Sequence, residues 1–402
     1  MLYTDKALDH FMNPRNVGEI FNADGIGEIG SEECGDMIRV WIKVSDDKHL
    51  SDIKYKVFGC PAAIACCSMM TELAIGKHLD DASELTDEQV ADALGGLPVN
   101  KYHCSNLAAS ALHKAIMDYI FKSPSKANLL SITVVVDNTP SGHFHSEHGL
   151  ALWINHGDKR ILFDTGQSNL ILQNAKTLDI DLVNTDAIVI SHGHYDHTGG
   201  LSAVLSIASK KAKIYLHPAA TEPKFSQKTS EAKSIGMPDS AKKAIQGQHM
   251  IWTATPATIF PGISVTGQVP RMNDYEDVGG AFFVDANCEK PDELLDDQTL
   301  FIESTKGLVV VLGCAHSGVV NTLDYISKLT GYKKIYAVIG GMHLLNASPI
   351  RITNTIEVFK KYEIQKIVPL HCTGQKAMQD FKTAFGDKCL FLGAGGQISL
   401  SS

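Results

Sequence analysis

Ser191-His192-Gly193-His194-Tyr195-Asp196-His197-Thr198-Gly199-Gly200 decides how the second part of the chain is read. It follows a buried-type strand, Ala187 to Ile190, and sets four potential metal ligands within six residues. Such a loop must bend tightly, and Gly193, Gly199 and Gly200 permit that. Neutral imidazole and carboxylate suit zinc, iron or manganese. Ligands this close together cannot all saturate one ion, so the pattern asks for two adjacent metals completed from elsewhere. Completions stand at other strand ends, in Gly313-Cys314-Ala315-His316, Gly341-Met342-His343 and Leu370-His371-Cys372.

The whole chain bounds this reading. Its 402 residues exceed one compact core, so two or three domains are expected. Hydrophobic content of 44% with 20% charged residues is that of ordinary soluble globular protein. No apolar run has the length of a membrane span, and Met1-Leu2-Tyr3-Thr4-Asp5-Lys6 lacks the basic-then-apolar pattern of a signal peptide. Neither membrane nor nucleic acid is an expected partner, the latter because a net charge of −9 offers no basic face. Nine cysteines without a secretory marker read as reduced thiols in the cytoplasm, some of them metal ligands. A homodimer is left open.

Two blocks part near residue 125. In the first, Thr4 caps a short helix and Pro14 lies beyond its end. Alternation then marks strands at Met37 to Val44 and around Ile53, Tyr55 and Val57. Helices follow from Pro61 to Gly76, where Pro61 suits the first turn, and from about Ser105 to Phe121. This block is α+β. The polar connector Ser123-Pro124-Ser125-Lys126-Ala127-Asn128 gives domains of 1–124 and 129–402. Beyond it, buried-type strands recur at Ile132 to Val136, Ile161 to Phe163, Leu308 to Leu312, Ile335 to Ile339 and Ile367 to Leu370. Several end in a Gly/His/Asp/Cys cluster, which is where layered α/β folds collect their chemistry. Residues 222–300, with Lys224, Lys228, Lys233, Lys242 and Lys243, read as an insertion or lid. Those lysines either draw in an anionic substrate or form a solvated face.

The HxHxDH run after a strand resembles the metallo-β-lactamase family, over roughly residues 130–402. The resemblance implies an αββα sandwich with a two-metal site. It puts His192 and His194 on the first metal, Asp196 and His197 on the second with His371, and Asp164 of Asp164-Thr165-Gly166 beneath the loop. No third-histidine segment of the usual kind stands where Val265-Thr266-Gly267-Gln268-Val269-Pro270-Arg271 lies. His316 is therefore taken as the remaining ligand of the first metal. Cys314 reads either as a bridging thiolate or as a buried structural cysteine. With Glu147-His148-Gly149-Leu150, Gly340-Gly341-Met342-His343-Leu344 and His371-Cys372-Thr373-Gly374, the chain is similar to the subgroup named for dihydropterin–ribofuranosylaminobenzene phosphate synthase. Most members of that subgroup are assigned only as metallohydrolases. Two metals (zinc, or iron or manganese) lower the pKa of a bridging water and stabilise an oxyanion, which favours hydrolysis of an ester or phosphoester in a small-molecule substrate. Asp196 would orient that water. His343 is either a substrate-facing acid or hydrogen-bond donor, or a satisfied loop histidine.

In the first block, Glu33-Cys34-Gly35-Asp36, Phe58-Gly59-Cys60-Pro61 and Tyr102-His103-Cys104-Ser105 each carry one thiol on its own loop. Three thiolates with Asp36 or His103 form a soft, incomplete set suited to an iron–sulfur cluster or zinc. The runs Ala7 to Phe11, Asn13 to Gly18, Cys34-Gly35-Asp36, Ala62 to Ala65 and Leu97-Pro98 resemble the IscU/NifU-type iron–sulfur assembly scaffold over residues 1–122. The resemblance implies that Cys34, Cys60 and Cys104 hold a transient cluster of the 2Fe–2S type, that Asp36 keeps it labile, and that His103 is an alternate ligand. It also implies a cysteine desulfurase and recipient apo-proteins as partners. Pro61 stands where glycine is more usual, and Cys66-Cys67 replace small hydroxyl residues. Cys67 lies two helical turns beyond Cys60, too far to share its cluster. Leu97-Pro98-Val99-Asn100-Lys101 departs from the Leu-Pro-Pro-Val-Lys pattern that Hsp70-type chaperones recognise.

Three functions compete on this sequence. The chain is a cluster scaffold joined to a working metallohydrolase, or a scaffold whose second domain only binds metal, or one carrying a di-iron redox domain. The flavodiiron proteins of the third reading usually have Glu at the position of His194 and need a flavodoxin domain. The first reading is the expectation.

Overall fold

The computed structural model describes residues 3–30, 36–98, 101–122, 129–227, 231–331 and 334–401. The chain falls into two compact units that part between Asn128 and Leu129.

In the first unit, helix α1 (Asp5–Met12) starts where the Thr4 hydroxyl accepts from the Ala7 N–H. Strands β1 (Gly25–Gly30), β2 (Met37–Val44) and β3 (Leu50–Phe58) form an antiparallel meander with Gly27 opposite Val40 and Val40 opposite Tyr55. Helices α2 (Pro61–Ala74), α3 (Leu79–Ser83), α4 (Asp87–Ala93) and α5 (Tyr102–Lys122) follow. Ile38, Val40, Ile42, Ile53 and Tyr55 bury against Cys66, Met70, Ala108 and Leu112 in one core. Strand β1 was not expected, because its sequence Gly-Ile-Gly-Glu-Ile-Gly looks like loop. The glycines are there for packing. A Cβ on Gly25 would run into the Ala115 carbonyl oxygen, and one on Gly27 into that of Ala111, so β1 lies directly on the backbone of α5.

The second unit holds two large sheets. In the first, β4 (Leu129–Val136), β5 (Ala151–His156), β6 (Lys159–Phe163), β7 (Ala187–Val189) and β8 (Lys213–Leu216) are neighbours, with helices α6 (Leu170–Thr177), α7 (Tyr195–Thr198) and α8 (Leu201–Ile207) between them in sequence. Next come the short strands β9 (Phe225–Ser226) and β10 (Lys233–Ser234), helix α9 (Asp239–Ala244), and strands β11 (His249–Trp252), β12 (Ala257–Phe260), β13 (Ile263–Val265) and β14 (Phe282–Phe283). The second sheet continues with β15 (Leu300–Ile302), β16 (Leu308–Leu312), β17 (Ile335–Gly341) and β18 (Lys366–Leu370), interleaved with α10 (Val319–Thr330), α11 (Pro349–Lys361) and α12 (Gln375–Phe385). The final strand β19 (Gln397–Ser401) pairs with β4.

Leu308, Val310 and Leu312 pack on α10, α11 and α12, while the intervening Val309 and Val311 are equally buried. Leu162, Ile188 and Ile214 do the same with α6, α8 and α9. Each sheet thus covers one face with helices and buries its other face, the αββα sandwich. The expected insertion at 222–300 is not a separate excursion. Strand β11 extends the first sheet beside β8, and β12 and β13 extend the second beside β15, leaving β9, β10 and β14 as a small sheet of their own. These strands are too short for an alternating pattern to register in sequence.

Candidate metal centre

Strands β6, β7 and β8 run parallel, as do β16, β17 and β18. The residues after their carboxyl ends converge on one site. Four of them sit in left-handed backbone: Asp164 (φ 59), Ala315 (φ 53), His343 (φ 46) and His371 (φ 49). A non-glycine residue in that region is strained and persists only where its surroundings impose it, so each strand end is bent to aim its side chain.

The imidazoles are anchored through one ring nitrogen, which leaves the other free to coordinate. His192 Nδ1 donates to Ser191 Oγ (2.9 Å), whose hydroxyl donates to Asp164 Oδ2 (2.7 Å). His197 Nδ1 donates to the same Asp164 Oδ2 (2.7 Å), His316 Nδ1 to the Val278 carbonyl (2.8 Å), and His371 Nδ1 to Asn138 Oδ1 (2.8 Å). His192 Nε2 meets His194 Nδ1 at 3.0 Å, His371 Nε2 faces Asp196 Oδ2 at 3.3 Å, and His316 Nε2 has no partner among the described residues, so the second ring nitrogens turn towards one another and towards Asp196. Around the first position, His192, His194 and His316 each bring a ligand atom within 4.8 Å of the others. His194 Nε2 and His316 Nε2 are buried without a hydrogen-bond partner among the described residues. His192 Nε2 and His194 Nδ1 meet at 3.0 Å, and a buried imidazole nitrogen left orphaned like that of His316 is what a metal satisfies, so the residues fit one. Burial drives His192 and His316 far below the ordinary histidine range and His194 down to about 3, so all three stay neutral and able to bind.

Around the second position, Asp196 Oδ2 stands 3.1 Å from His148 Nε2, 3.3 Å from His371 Nε2 and 3.8 Å from His197 Nε2. Burial opposes ionisation of Asp196, but His197, with the hydrogen bonds from His148 and His371, holds its carboxyl well below the usual range. His197 also overcomes its burial and is raised, because Asp164 and Asp196 face it. Asp164 accepts from the Ser191 N–H as well (2.7 Å), placing it directly beneath the loop. Gly193 is fixed by its N–H on Asp296 Oδ2 (2.7 Å), and a Cβ there would strike the Ala220 carbonyl.

Cys314 Sγ lies 3.2 Å from His197 Nε2 and 3.2 Å from Cys372 Sγ. The thiol of Cys314 is pushed up by burial, whereas Cys372 ionises more readily despite burial, with Cys314, His371 and His343 around it. His343 lies apart from both ligand groups by chain but stacks near His316, ring centroids 4.3 Å apart. Its Nε2 donates to the Gly279 carbonyl (3.2 Å). Phe282 closes the cluster from β14, its ring 5.3 Å from His194 and 5.4 Å from His316. The lysines divide: Lys224 is buried between Asp292 (2.9 Å) and Asp296 (2.8 Å), Lys233 sits 5.7 Å over the Tyr195 ring, Lys242 and Lys243 lie in the last turn of α9, and Lys228 is outside the described residues. Lys224 is thus committed to holding Asp296 under Gly193 and cannot greet a substrate.

Reasoning from sequence missed His148, Asn138 and Phe282. His148 had a signal, since Glu147-His148-Gly149 was already conspicuous, and Asp137-Asn138 follow a strand as the other site residues do. Phe282 had none.

The thiol site of the first unit is sparser. Cys60 caps α2 with Pro61 at the first helical position. Its Sγ is 3.6 Å from Cys104 Sγ, Cys104 Sγ is 3.9 Å from Asp36 Oδ2, and the Cys60 N–H donates to Asp36 Oδ1 (3.2 Å). These three offer ligand atoms within 4.8 Å of one another. Cys34 and the side chain of His103 lie outside what is described. Burial raises Cys104, Cys67, and Cys66 to about 12. Cys66 and Cys67 are wholly buried in the core.

Two architectures, a histidine–aspartate cluster in an αββα sandwich and a thiol cluster on an α+β unit, thus define the molecule. Residues 2–126 match the NifU-like N terminal domain and residues 147–325 the Metallo-beta-lactamase superfamily, and the chain belongs to both families. Among the relatives is iron-sulfur cluster assembly scaffold protein IscU 1 of Archaeoglobus fulgidus, 55% identical over 122 residues, 30% of this chain and 79% of that one. Another is the 7,8-dihydropterin-6-methyl-4-(beta-D-ribofuranosyl)-aminobenzene-5'-phosphate synthase of Methanocaldococcus jannaschii, 36% identical over 263 residues, 60% of this chain and 87% of that one. A solved metal-dependent hydrolase of the beta-lactamase superfamily is 30% identical with a TM-score of 0.59, covering 68% of this chain and 100% of that one. The chain is an IscU-like scaffold fused to a metallo-β-lactamase-superfamily domain. The first membership implies an iron–sulfur cluster and the second divalent metals. No helix among the described residues is long and apolar enough to cross a membrane.

Proposed function

We propose that the chain assembles iron–sulfur clusters on its first unit and hydrolyses an ester or phosphoester of an anionic small molecule at its second. The single observation that carries the hydrolytic reading is the convergence of His192, His194 and His316, with His192 Nε2 3.0 Å from His194 Nδ1 and His316 Nε2 left without a partner among the described residues, beside the Asp196–His197–His371 set. In this reading His192, His194 and His316 hold one metal and Asp196, His197 and His371 the other, with His148 at its open side. Bound there, the metals would supply a water of lowered pKa and charge to stabilise a developing oxyanion. The chain's own residues do the rest. Asp164 locks the tautomers of His192, through Ser191, and of His197. Asp196, held ionised by its histidines, accepts a hydrogen bond from the attacking water. Phe282 keeps bulk water from the buried side. Cys314 lies close enough to His197 to serve as a further soft ligand.

On the first unit, Cys34, Cys60 and Cys104 hold the nascent cluster, with Asp36 beside Cys60 and Cys104 keeping it exchangeable and His103 as alternate ligand. The cluster is cargo: a cysteine desulfurase supplies its sulfur and apo-proteins receive it. The Methanocaldococcus relative is named a synthase, which favours a second reading, bond formation in place of hydrolysis.

The test is metal analysis and turnover on the full chain. About two metals per chain with hydrolysis of bis(p-nitrophenyl) phosphate or p-nitrophenyl acetate, abolished in Asp196→Ala, is the expected result. Full metal occupancy with no turnover across a broad ester panel would reduce the second unit to a binding domain.

A further inference from the structure

Two thiols of the sandwich are set against the histidine–aspartate cluster, and their surroundings are not those of core cysteines. Cys389 shows the ordinary case, buried in one apolar cluster with Phe359, Ile367 and Phe381. Cys314 is as withdrawn from solvent, but its sulfur faces ligand atoms. Its Sγ is 3.2 Å from His197 Nε2. It also lies within 4.8 Å of a ring nitrogen of His192 and of His316, which belong to the first position, and of His371, which belongs to the second. One sulfur therefore reaches both halves of the cluster.

These separations are those of a coordination shell. A sulfur at about 2.3 Å and a nitrogen at about 2.0 Å on one tetrahedral zinc lie about 3.5 Å apart. Cys314 Sγ and His197 Nε2 already stand near that spacing. A thiolate, unlike an imidazole nitrogen, has lone pairs enough for two ions at once. Cys372 accounts for where that sulfur points. Cys314 follows the end of β16 and Cys372 the end of β18, with β17 between them. Their sulfurs meet at 3.2 Å beside Gly341, where a Cβ would strike Cys372 Sγ and the Gly313 carbonyl. Cys372 accepts from the His343 N–H (3.3 Å) and donates its S–H to Cys314 Sγ. A donor aimed at a sulfur is worth most when that sulfur is a thiolate.

We propose that Cys314 is a thiolate bridge between the two metals and that Cys372 is a positioning residue, its S–H holding the bridging sulfur in place. On metal binding the Cys314 proton leaves to solvent and the sulfur gives one lone pair to each ion, with no change of oxidation state. The bridge is buried, whereas the His148 side chain beside Asp196 is 55% exposed, so water and substrate keep that approach. The inference rests on the two-metal reading and deepens it. A sulfur bridge selects thiophilic ions, such as zinc, ferrous iron or cobalt, over manganese and magnesium.

Cobalt(II) is the probe, because sulfur-to-cobalt charge transfer gives a near-ultraviolet band that nitrogen and oxygen ligands do not. It is loaded into the full chain carrying Cys34→Ala, Cys60→Ala and Cys104→Ala, so that the scaffold thiols add no band of their own. About two cobalt ions per chain are expected, with the band present. Their electron paramagnetic signal should be weaker than that of two isolated ions, because a shared sulfur couples the spins. Adding Cys314→Ser should abolish the band and loosen both ions by at least about tenfold in competition with a chelator. Adding Cys372→Ala should keep the band and move it to longer wavelength, since loss of the S–H donor raises the sulfur lone pairs. A purely structural Cys372 would leave the band where it was. Two bound cobalt ions without the band overturn the bridge, and that result needs no variant at position 314 to fold. A band that survives Cys314→Ser, or a loss confined to one ion, also overturns it, as does a Cys314–Cys372 disulfide found by peptide mass mapping of the loaded chain. Fewer than two ions would instead break the two-metal reading, and the bridge with it.

Discussion

The two metal-binding regions of this molecule are built on opposite plans. In the sandwich, the candidate ligands stand at strand ends or in the short helix α7 just beyond one, four of the strand-end residues are bent into left-handed backbone, and a ring of partners (Asp164, Ser191, Asn138, Val278) orients the imidazoles. In the first unit, Cys60 is half-buried at a helix start, Cys104 is buried in α5, and Asp36 reaches both. One site is pre-organised by buried partners, which suits a centre that retains what it binds. The other, among the described residues, is two thiols and one carboxylate with few fixed partners, which suits a place that releases its cargo.

The comparison breaks most visibly if the two sites are not independent. In a Cys34→Ala, Cys60→Ala, Cys104→Ala variant, anaerobic reconstitution with iron, sulfide and a desulfurase should give none of the labile visible chromophore. The metal content of the sandwich should stay as it was. A chromophore that persists would remove the thiol assignment, and a loss of metal from the sandwich would mean the two plans are coupled.

The pre-organised site should depend on a residue that touches no metal. Asp164→Ala removes the acceptor for His197 Nδ1, the Ser191 hydroxyl and the Ser191 N–H together. Metal affinity should fall about 10- to 100-fold, read by competition with a chelator while the fold persists by circular dichroism. An affinity within twofold of the unaltered chain would make the pre-organisation argument untenable. Asp36→Ala is the counterpart in the thiol site. There the cluster should form and then transfer more slowly to an apo-ferredoxin, so the loss of a carboxylate strengthens retention at one site and weakens it at the other.

How far these differences could be read from the sequence follows the same division. The sandwich strands announce themselves as apolar runs ending in ligand residues, and the His192 to His197 loop is contiguous, so a local pattern suffices. His148 and Asn138 stand where the sequence carries a faint hint, in a conspicuous Glu-His-Gly run and after a strand, but Phe282 reaches the site from far along the chain and no local pattern marks a residue that only tertiary packing brings in. The strand β1 escaped for the opposite reason: its glycines signal a loop locally, and only contact with α5 explains them. Gly27→Val tests that account. A larger residue must push β1 off the Ala111 carbonyl and should destabilise the first unit by about 1–3 kcal/mol in urea titration, leaving the sandwich transition in place. A neutral substitution would mean the strand has room that the packing denies.

The smallest effect concerns a histidine of the sandwich that lies away from its metals. His156, at the far end of β5, is 6% exposed and neither ring nitrogen has a partner among the described residues. Burial lowers its pKa below the ordinary value, against a smaller opposing pull from Asp158. Its folded state therefore binds a proton less readily than the unfolded chain does. The stability tied to the neutral ring is fully present above the unfolded pKa of about 6.5 and is lost as pH falls from there through the lowered folded pKa. His156→Phe keeps the volume and removes the titration. Between pH 7.5 and 5.5 the Tm of the sandwich should drop less in this variant than in the unaltered chain, by on the order of 2 °C, seen in calorimetric scans at the two pH values. The metal ligands lose protons or gain them in both proteins alike, so the difference isolates His156. An identical pH dependence would show that the ring finds a partner or water in solution, and that the sandwich tolerates polar groups away from its metals as loosely as the first unit tolerates its thiols.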